Sequence, residues 1–373
     1  MYRILFLLTL VVTALPVKAQ TIDIDISQAN RLLEIACSNA RIDRNEFSNS
    51  SIVQKQVEHH RTFAKRFTME NYLKGIEAAA RCEILEKDPY RFRYLVEQRP
   101  LMEKSISYLL TKRSDLTSRV RSNIAPYLPE GFDFQSKVII AAASFSCGGF
   151  SRDELFYIDL PCLSTDIEGE YEAIAKLISH EAYHAMQNTF ASKPMVEEEN
   201  VRTELQAWDY MFHRLAIEGS AAFIGDMRNI KGDGRYAKFS RNLAQRNFRQ
   251  LSYNFDLLAF MMEAVAHDPD SLAERFPKIY ALAFDGGFGE PSYFTGQQMT
   301  AEIVHSFGPK SLPCLLALPP EEFALGYHAA LADGDNLKQS EALAPAIVNF
   351  ANQLKETRSQ PLVAESCMSV SAN

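Results

Sequence analysis

The sequence predicts an α+β protein, mainly helical, with a small β-sheet over one long helix, and three observations predict it. From Ser27 to about Asn123 apolar residues recur at helical spacing, as in Ile76, Ala79, Ala80, Ile84 and Leu85. Between Lys137 and Leu160 the pattern changes to two β-branched and aromatic runs, KVIIAAASF and ELFYIDL, with no helical period. Beyond Pro161 the helical period returns and holds almost to the C-terminus. Helices, a short sheet and helices again is the expected order, without an internal repeat.

The chain opens MYRILFLLTLVVTALPVKAQ, with one early cation at Arg3, an apolar run from Ile4 to Leu15, and small residues at Val17 and Ala19. That is the layout of a cleaved signal peptide over residues 1–19, so an exported protein beginning near Gln20 is expected, periplasmic or secreted. The apolar run is shorter than the roughly 20 residues a membrane-spanning helix needs, so no stable membrane insertion is expected. Removing residues 1–19 takes away Arg3 and Lys18 but no carboxylate, moving the formal net charge from −8 to about −10. So acidic a chain is a poor partner for nucleic acid. With 47% hydrophobic residues it can build a sizeable core.

The organisation expected is a helical region over 20–130, a catalytic region over 131–330, and a C-terminal helix and tail over 331–373. Six cysteines in an exported chain favour disulfides, and pairing of neighbours is expected: Cys37 with Cys82, Cys147 with Cys162, and Cys314 with Cys367. No CxxC is present, which argues against a cysteine zinc site.

Taken in order, Pro126, Pro129 and Gly131 end the first helical region. A strand over 137–145 then pairs with 154–160 across a Cys147-Gly148-Gly149 turn. Thr165-Asp166-Ile167-Glu168 has capping-box spacing and opens a helix to about Asn188, with Ile174, Leu177, Ile178 and Ala185 on its core face. The acidic loop Glu197-Glu198-Glu199 leads to a second helix over 201–228. Further helices are expected at 236–266, 271–284, 296–307, 320–332 and 338–356.

The chemistry lies in the first of these later helices, where His180-Glu181-Ala182-Tyr183-His184 is HExxH. Residues i and i+4 share one helical face, so both imidazoles can reach one ion, while Glu181 turns toward the side where a water would sit. A tetrahedral hydrolytic zinc site needs a third protein ligand and leaves one position open. Glu204 and Glu218 are the candidates. They are 14 residues apart on one expected helix, about 21 Å at about 1.5 Å per residue, so only one can serve. Glu218 is favoured, because Gly219, Ala221, Ala222 and Gly225 would let its helix approach the HExxH helix closely. His213 and Asp209 are outside candidates.

HEAYH followed by Glu218-Gly219-Ser220-Ala221 resembles the gluzincin arrangement, in which a glutamate opening an E-G-x-A motif completes the metal site. The segment Tyr293-Phe294-Thr295-Gly296-Gln297-Gln298-Met299, with Phe307-Gly308, Leu312, Pro319, Phe323 and Tyr327, is similar to the tail of bacterial zinc-dependent peptidases of that clan. The resemblance covers about 137–330 and implies a zincin-like fold, bound Zn2+ and a peptide or protein substrate. Glu181 would be the general base, and the resemblance points to Tyr293 as the further donor, with His305 the weaker choice. Two other readings stand beside it: a binding protein on the same fold without turnover, and a zinc hydrolase of non-peptide amides or esters. The run Val138 to Phe145 is a candidate edge for an extended substrate. His59 and His60 are expected in solvent, and His267 and His328 exposed or structural. The acidic run Glu197–Glu199 reads as a solvated loop that could also select basic substrates.

Overall fold

The structure, a computed structural model, describes residues 21–133, 135–145, 148–152, 155–267, 269–333, 342–358 and 365–368. It is a predominantly helical α+β fold with one four-stranded sheet. The expected signal peptide lies outside the described residues, as does Cys147 and with it the expected Cys147–Cys162 bond. The other two expected pairs, Cys37–Cys82 and Cys314–Cys367, are disulfides.

The sheet runs β1 (Thr21–Asp25), β2 (Gln135–Ala141), β4 (Leu155–Asp159), β3 (Gly149–Arg152) from edge to edge. β1, β2 and β4 are parallel, and β3 lies antiparallel outside β4. The two strands read from the sequence are therefore neighbours, but not a hairpin. Parallel neighbours cannot be joined by a tight turn. The chain instead reverses near Gly148, whose φ of +128° suits glycine, and adds β3 before β4 begins. β2 is an interior strand, so its backbone is already paired on both sides and it cannot be the substrate edge. Its unbroken apolar run is the mark of a strand covered on both faces. β1 was not foreseen, although TIDID alternates and buries Ile22 and Ile24.

The HExxH helix is Ile167–Phe190 and lies across β2, β3 and β4. Its cap is Asp166, whose side chain accepts from the Gly169 N–H, rather than Thr165. Glu170, in the first turn, is buried and accepts from the N–H groups of Tyr236 at 2.8 Å and Ala237 at 2.7 Å. It thereby caps the helix Arg235–Arg249, whose own N-cap, Gly234, has no side chain to offer. The expected single helix over 236–266 is two, Arg235–Arg249 and Leu251–Ala266, broken at Gln250. His60 is buried, bonded to Gln56 O and facing Ser144 and Phe145, and His59 is stacked on Phe150. Both histidines help hold the helix Ser51–Phe63 to the sheet; His60 is buried and His59 half-buried.

Two more helices frame the site. The glutamate helix, Glu204–Ile224, opens with a capping box between Thr203 and Gln206. The tyrosine helix, Pro291–Phe307, has Pro291 in its first turn and crosses the glutamate helix in direct backbone contact. A Cβ placed on Gly219 would stand 2.3 Å from the Gly296 carbonyl carbon, and one on Gly296 would stand 2.4 Å from Leu215 O. Gly219, next to Glu218, thus serves this crossing, while Gly225 serves the approach to the HExxH helix, its would-be Cβ 2.8 Å from His180 Cβ. Since backbone cannot yield as a flexible side chain can, Gly219→Ala or Gly296→Ala should cost at least the roughly 1–3 kcal/mol of core overpacking. A thermal melt of either variant is expected several degrees below wild type; an unchanged melt would contradict the contact.

Candidate metal centre

His180 and His184 sit one turn apart on the HExxH helix, their rings edge to face with centroids 4.6 Å apart. Their Nε2 atoms are 3.0 Å apart. Glu218 Oε2, from the glutamate helix, lies 3.1 Å from His184 Nε2 and 3.8 Å from His180 Nε2. One ligand atom from each residue falls within 4.8 Å of the others, so the three form a group that could hold a metal ion. Two ring nitrogens and a carboxylate oxygen converging on one point repel unless a proton or cation stands among them. Two imidazoles and a carboxylate, with room for one more ligand, is a donor set that zinc takes in catalytic sites.

The surrounding bonds fix how these groups point. Gln187 Nε2 donates to Ile217 O at 3.0 Å and to Ser220 Oγ at 2.7 Å. Its oxygen therefore faces His184 Nδ1 at 2.8 Å, and that nitrogen must carry the proton. The Nε2 lone pair of His184 is left facing His180 Nε2 and Glu218 Oε2. His180 is hydrogen-bonded to the main chain of Ala221. Arg214, one turn before Glu218, donates to Glu218 Oε1 and leaves Oε2 facing the histidines.

The charges follow from burial and these partners. Burial would raise the Glu218 carboxyl, but the Arg214 guanidinium and His184 outweigh it and hold the group well below the usual carboxylate range. Burial, reinforced by His184, pushes His180 down to about 3. His184 is pulled down by burial but ends raised, because the Glu218 charge and hydrogen bond win. Glu181 is pushed up to about 7 by burial, opposed by His184; Glu218 adds to the rise, and a bond with Ser151 of β3 counters it. Tyr293 lies nearly parallel to the His180 ring, centroids 6.3 Å apart. Burial, then the Glu218 charge, raises its phenol well above the ordinary value, so it remains a donor at neutral pH.

These residues line one cavity of about 1020 Å³, whose walls include Ser151 and Phe150 of β3, Tyr236, Tyr280, Glu290 and Tyr293. The structure thus brings together His180, Glu181, His184, Glu218 and Tyr293. It does not bring in Glu204, which stays in the first turn of its helix, outside the group. Asp209 is engaged elsewhere, accepting from Met195 N at 2.6 Å and Arg358 at 2.6 Å. His213 lines a smaller adjoining hollow of about 210 Å³ and is no part of the ligand group. His305 is exposed at the far end of the tyrosine helix, and His267 and His328 are also exposed. Of the acidic run, Glu197 and Glu199 are exposed, while Glu198 is half-buried and lines the cavity.

Three residues escaped the sequence reading. Gln187 and Arg214 carried a usable signal, since each lies three or four residues from a member of the His-His-Glu group on the same helical face. Glu290 carried none: it precedes Pro291 in a left-handed conformation, φ 54° and ψ 47°, that only the fold imposes.

Fold and site together define a helical α+β protein built around a buried His-His-Glu group able to hold a metal. The chain belongs to the family described as "Putative zinc dependent peptidase (DUF5700)", whose model matches residues 45–334. No curated protein and no solved structure matches the chain.

Proposed function

We propose that this chain is an exported, gluzincin-type zinc metallopeptidase. The observation that carries the reading is the convergence of His180, His184 and Glu218 with Glu181 and Tyr293 on the same cavity. Family membership supports zinc and peptide hydrolysis. Two disulfides support an oxidising compartment, and no helix among the described residues is long and apolar enough to cross a membrane.

His180, His184 and Glu218 would hold the zinc, which supplies Lewis acidity toward a peptide carbonyl and lowers the pKa of water. The protein's own residues do the rest. Glu181 accepts the proton of the attacking water and returns it to the leaving amine. The Tyr293 hydroxyl donates to the oxyanion of the tetrahedral adduct, and its high pKa keeps that proton in place. Arg214 keeps Glu218 ionised and oriented, and Gln187 does the same for His184. β3, an edge strand with Ser151 in the cavity wall, is the backbone on which an extended peptide would lie.

Turnover of a mixed peptide library should vanish when a chelator strips the protein and return with added zinc. Undiminished cleavage by the stripped protein would overturn the reading. The pH profile follows from the base. Glu181 works only when ionised, so activity is lost as pH falls through its pKa. That pKa is about 7 without metal, and a nearby dication favours the carboxylate, so the acid limb of kcat/KM should have its midpoint below about 7. A midpoint above that value would contradict Glu181 as the base.

A further inference from the structure

Glu290, Tyr293 and Gln297 follow one another at spacings of three and four on one face of the tyrosine helix and its cap, and all three line the cavity. Each carries a different polar group. The Glu290 carboxylate has no hydrogen bond or ion pair among the described residues, and besides burial the charges that raise it, Glu218 and Asp285, are both negative. Gln297 is 2% exposed, and its Nε2 has no hydrogen-bond partner among the described residues. A buried amide N–H without an acceptor is costly, and a carbonyl that reaches it relieves that cost.

The rest of the cavity agrees in sign. Glu181, Glu198, Glu218, Asp285 and Glu290 line it, and among the described residues no lysine or arginine does. Arg214 is committed to Glu218 from behind. Two of these carboxylates are absorbed by the proposed chemistry, Glu218 as ligand and Glu181 as base, where a zinc dication balances them. Of the rest, Glu198 feels the Arg214 charge and Asp285 accepts from the Gly287 N–H, so Glu290 is the carboxylate left without a partner among the described residues.

We propose that Glu290 is a specificity-determining residue that pairs with a cationic group of the substrate, an ammonium or guanidinium, while Gln297 Nε2 donates to a main-chain carbonyl of the same peptide. The inference rests on the peptidase reading for its substrate class, and the Tyr293 hydroxyl between the two groups sets the register. A substrate cation lying toward Glu290 and a carbonyl lying toward Gln297 place the bond to be cleaved beside Tyr293 and the metal position. The cation has two chemical sources, a lysine or arginine side chain, or the free α-amino group.

The test is binding and turnover of a set of short peptides on the zinc-loaded protein: lysine or norleucine at each position near the scissile bond, each with a free or acetylated N-terminus. Binding is measured on Glu181→Gln, so that selectivity is read even where nothing is cleaved. Cationic peptides should bind about 10–100-fold tighter than their neutral partners, the range for a charge-assisted hydrogen bond. In Glu290→Gln that ratio should fall to near one, and in Glu290→Asp part of it should return. Acetylation abolishing the preference assigns the α-amino group; loss only with norleucine assigns the side chain. Equal binding of charged and neutral peptides, or a preference unmoved in Glu290→Gln, overturns the proposal even if peptides are cleaved. Selective binding with no cleavage of any peptide by wild type would instead retain the cation site and sink the peptidase reading.

Discussion

Glu181→Gln is expected to keep its metal and its fold while kcat/KM falls by about 10²–10⁴-fold, the contribution of a positioned general base. The carboxamide is nearly isosteric, and it removes a group that burial has already pushed up to about 7, so the folded state loses little. None of the three converging donor atoms belongs to Glu181, so the metal position is left intact. Peptide turnover beside metal content, both on one preparation, checks the prediction. A fully active glutamine variant would remove Glu181 from the mechanism, and a metal-free one would make it a structural partner of the site.

Glu218→Ala is expected to have the larger structural consequence. It deletes one of three donors, so the loss of metal affinity should exceed the roughly 10–100-fold that outer partners of a metal site cost. It also strands Arg214, whose guanidinium is held strongly basic by Glu218 in a largely buried position. Leaving one member of such a pair unpaired costs about 3–5 kcal/mol, a fall in Tm that should be plain in a melt. Glu218→Gln separates the two effects, because the amide oxygen can still accept from Arg214 while the ligand charge is gone. It should recover much of the Tm and little of the zinc.

The path from sequence to site was uneven, and the reasons are physical. HExxH was legible because the i, i+4 spacing of a helix is fixed by its 3.6-residue turn, and the cap and core face that located this helix are local. The choice of Glu218 over Glu204 was reachable from sequence, but partly for a reason that proved incomplete. In the sequence Gly219 suggests a contact with the HExxH helix, whereas in the structure it meets Gly296 of the tyrosine helix. Glycine announces that backbones come close without saying whose. The same limit governs the sheet: KVIIAAA and LFYID are recognisable strands, but only the burial of β2 on both faces reveals that they run parallel. His60 looks solvated in sequence because its neighbours there are charged, while its neighbours in space are Phe67, Tyr90 and Phe145. Glu290 could not be read at all, since its left-handed backbone is imposed by the turn ahead of Pro291.

The proposed chemistry comes down to whether the Glu218 carboxylate, rather than the one at Glu204, completes a zinc site with His180 and His184. Elemental analysis of purified wild type, Glu204→Ala and Glu218→Ala decides it. Near-stoichiometric zinc in the first two and a sharp loss in the third is the predicted result. Zinc retained in Glu218→Ala but lost in Glu204→Ala, or absent from wild type after growth and dialysis in zinc, would contradict it.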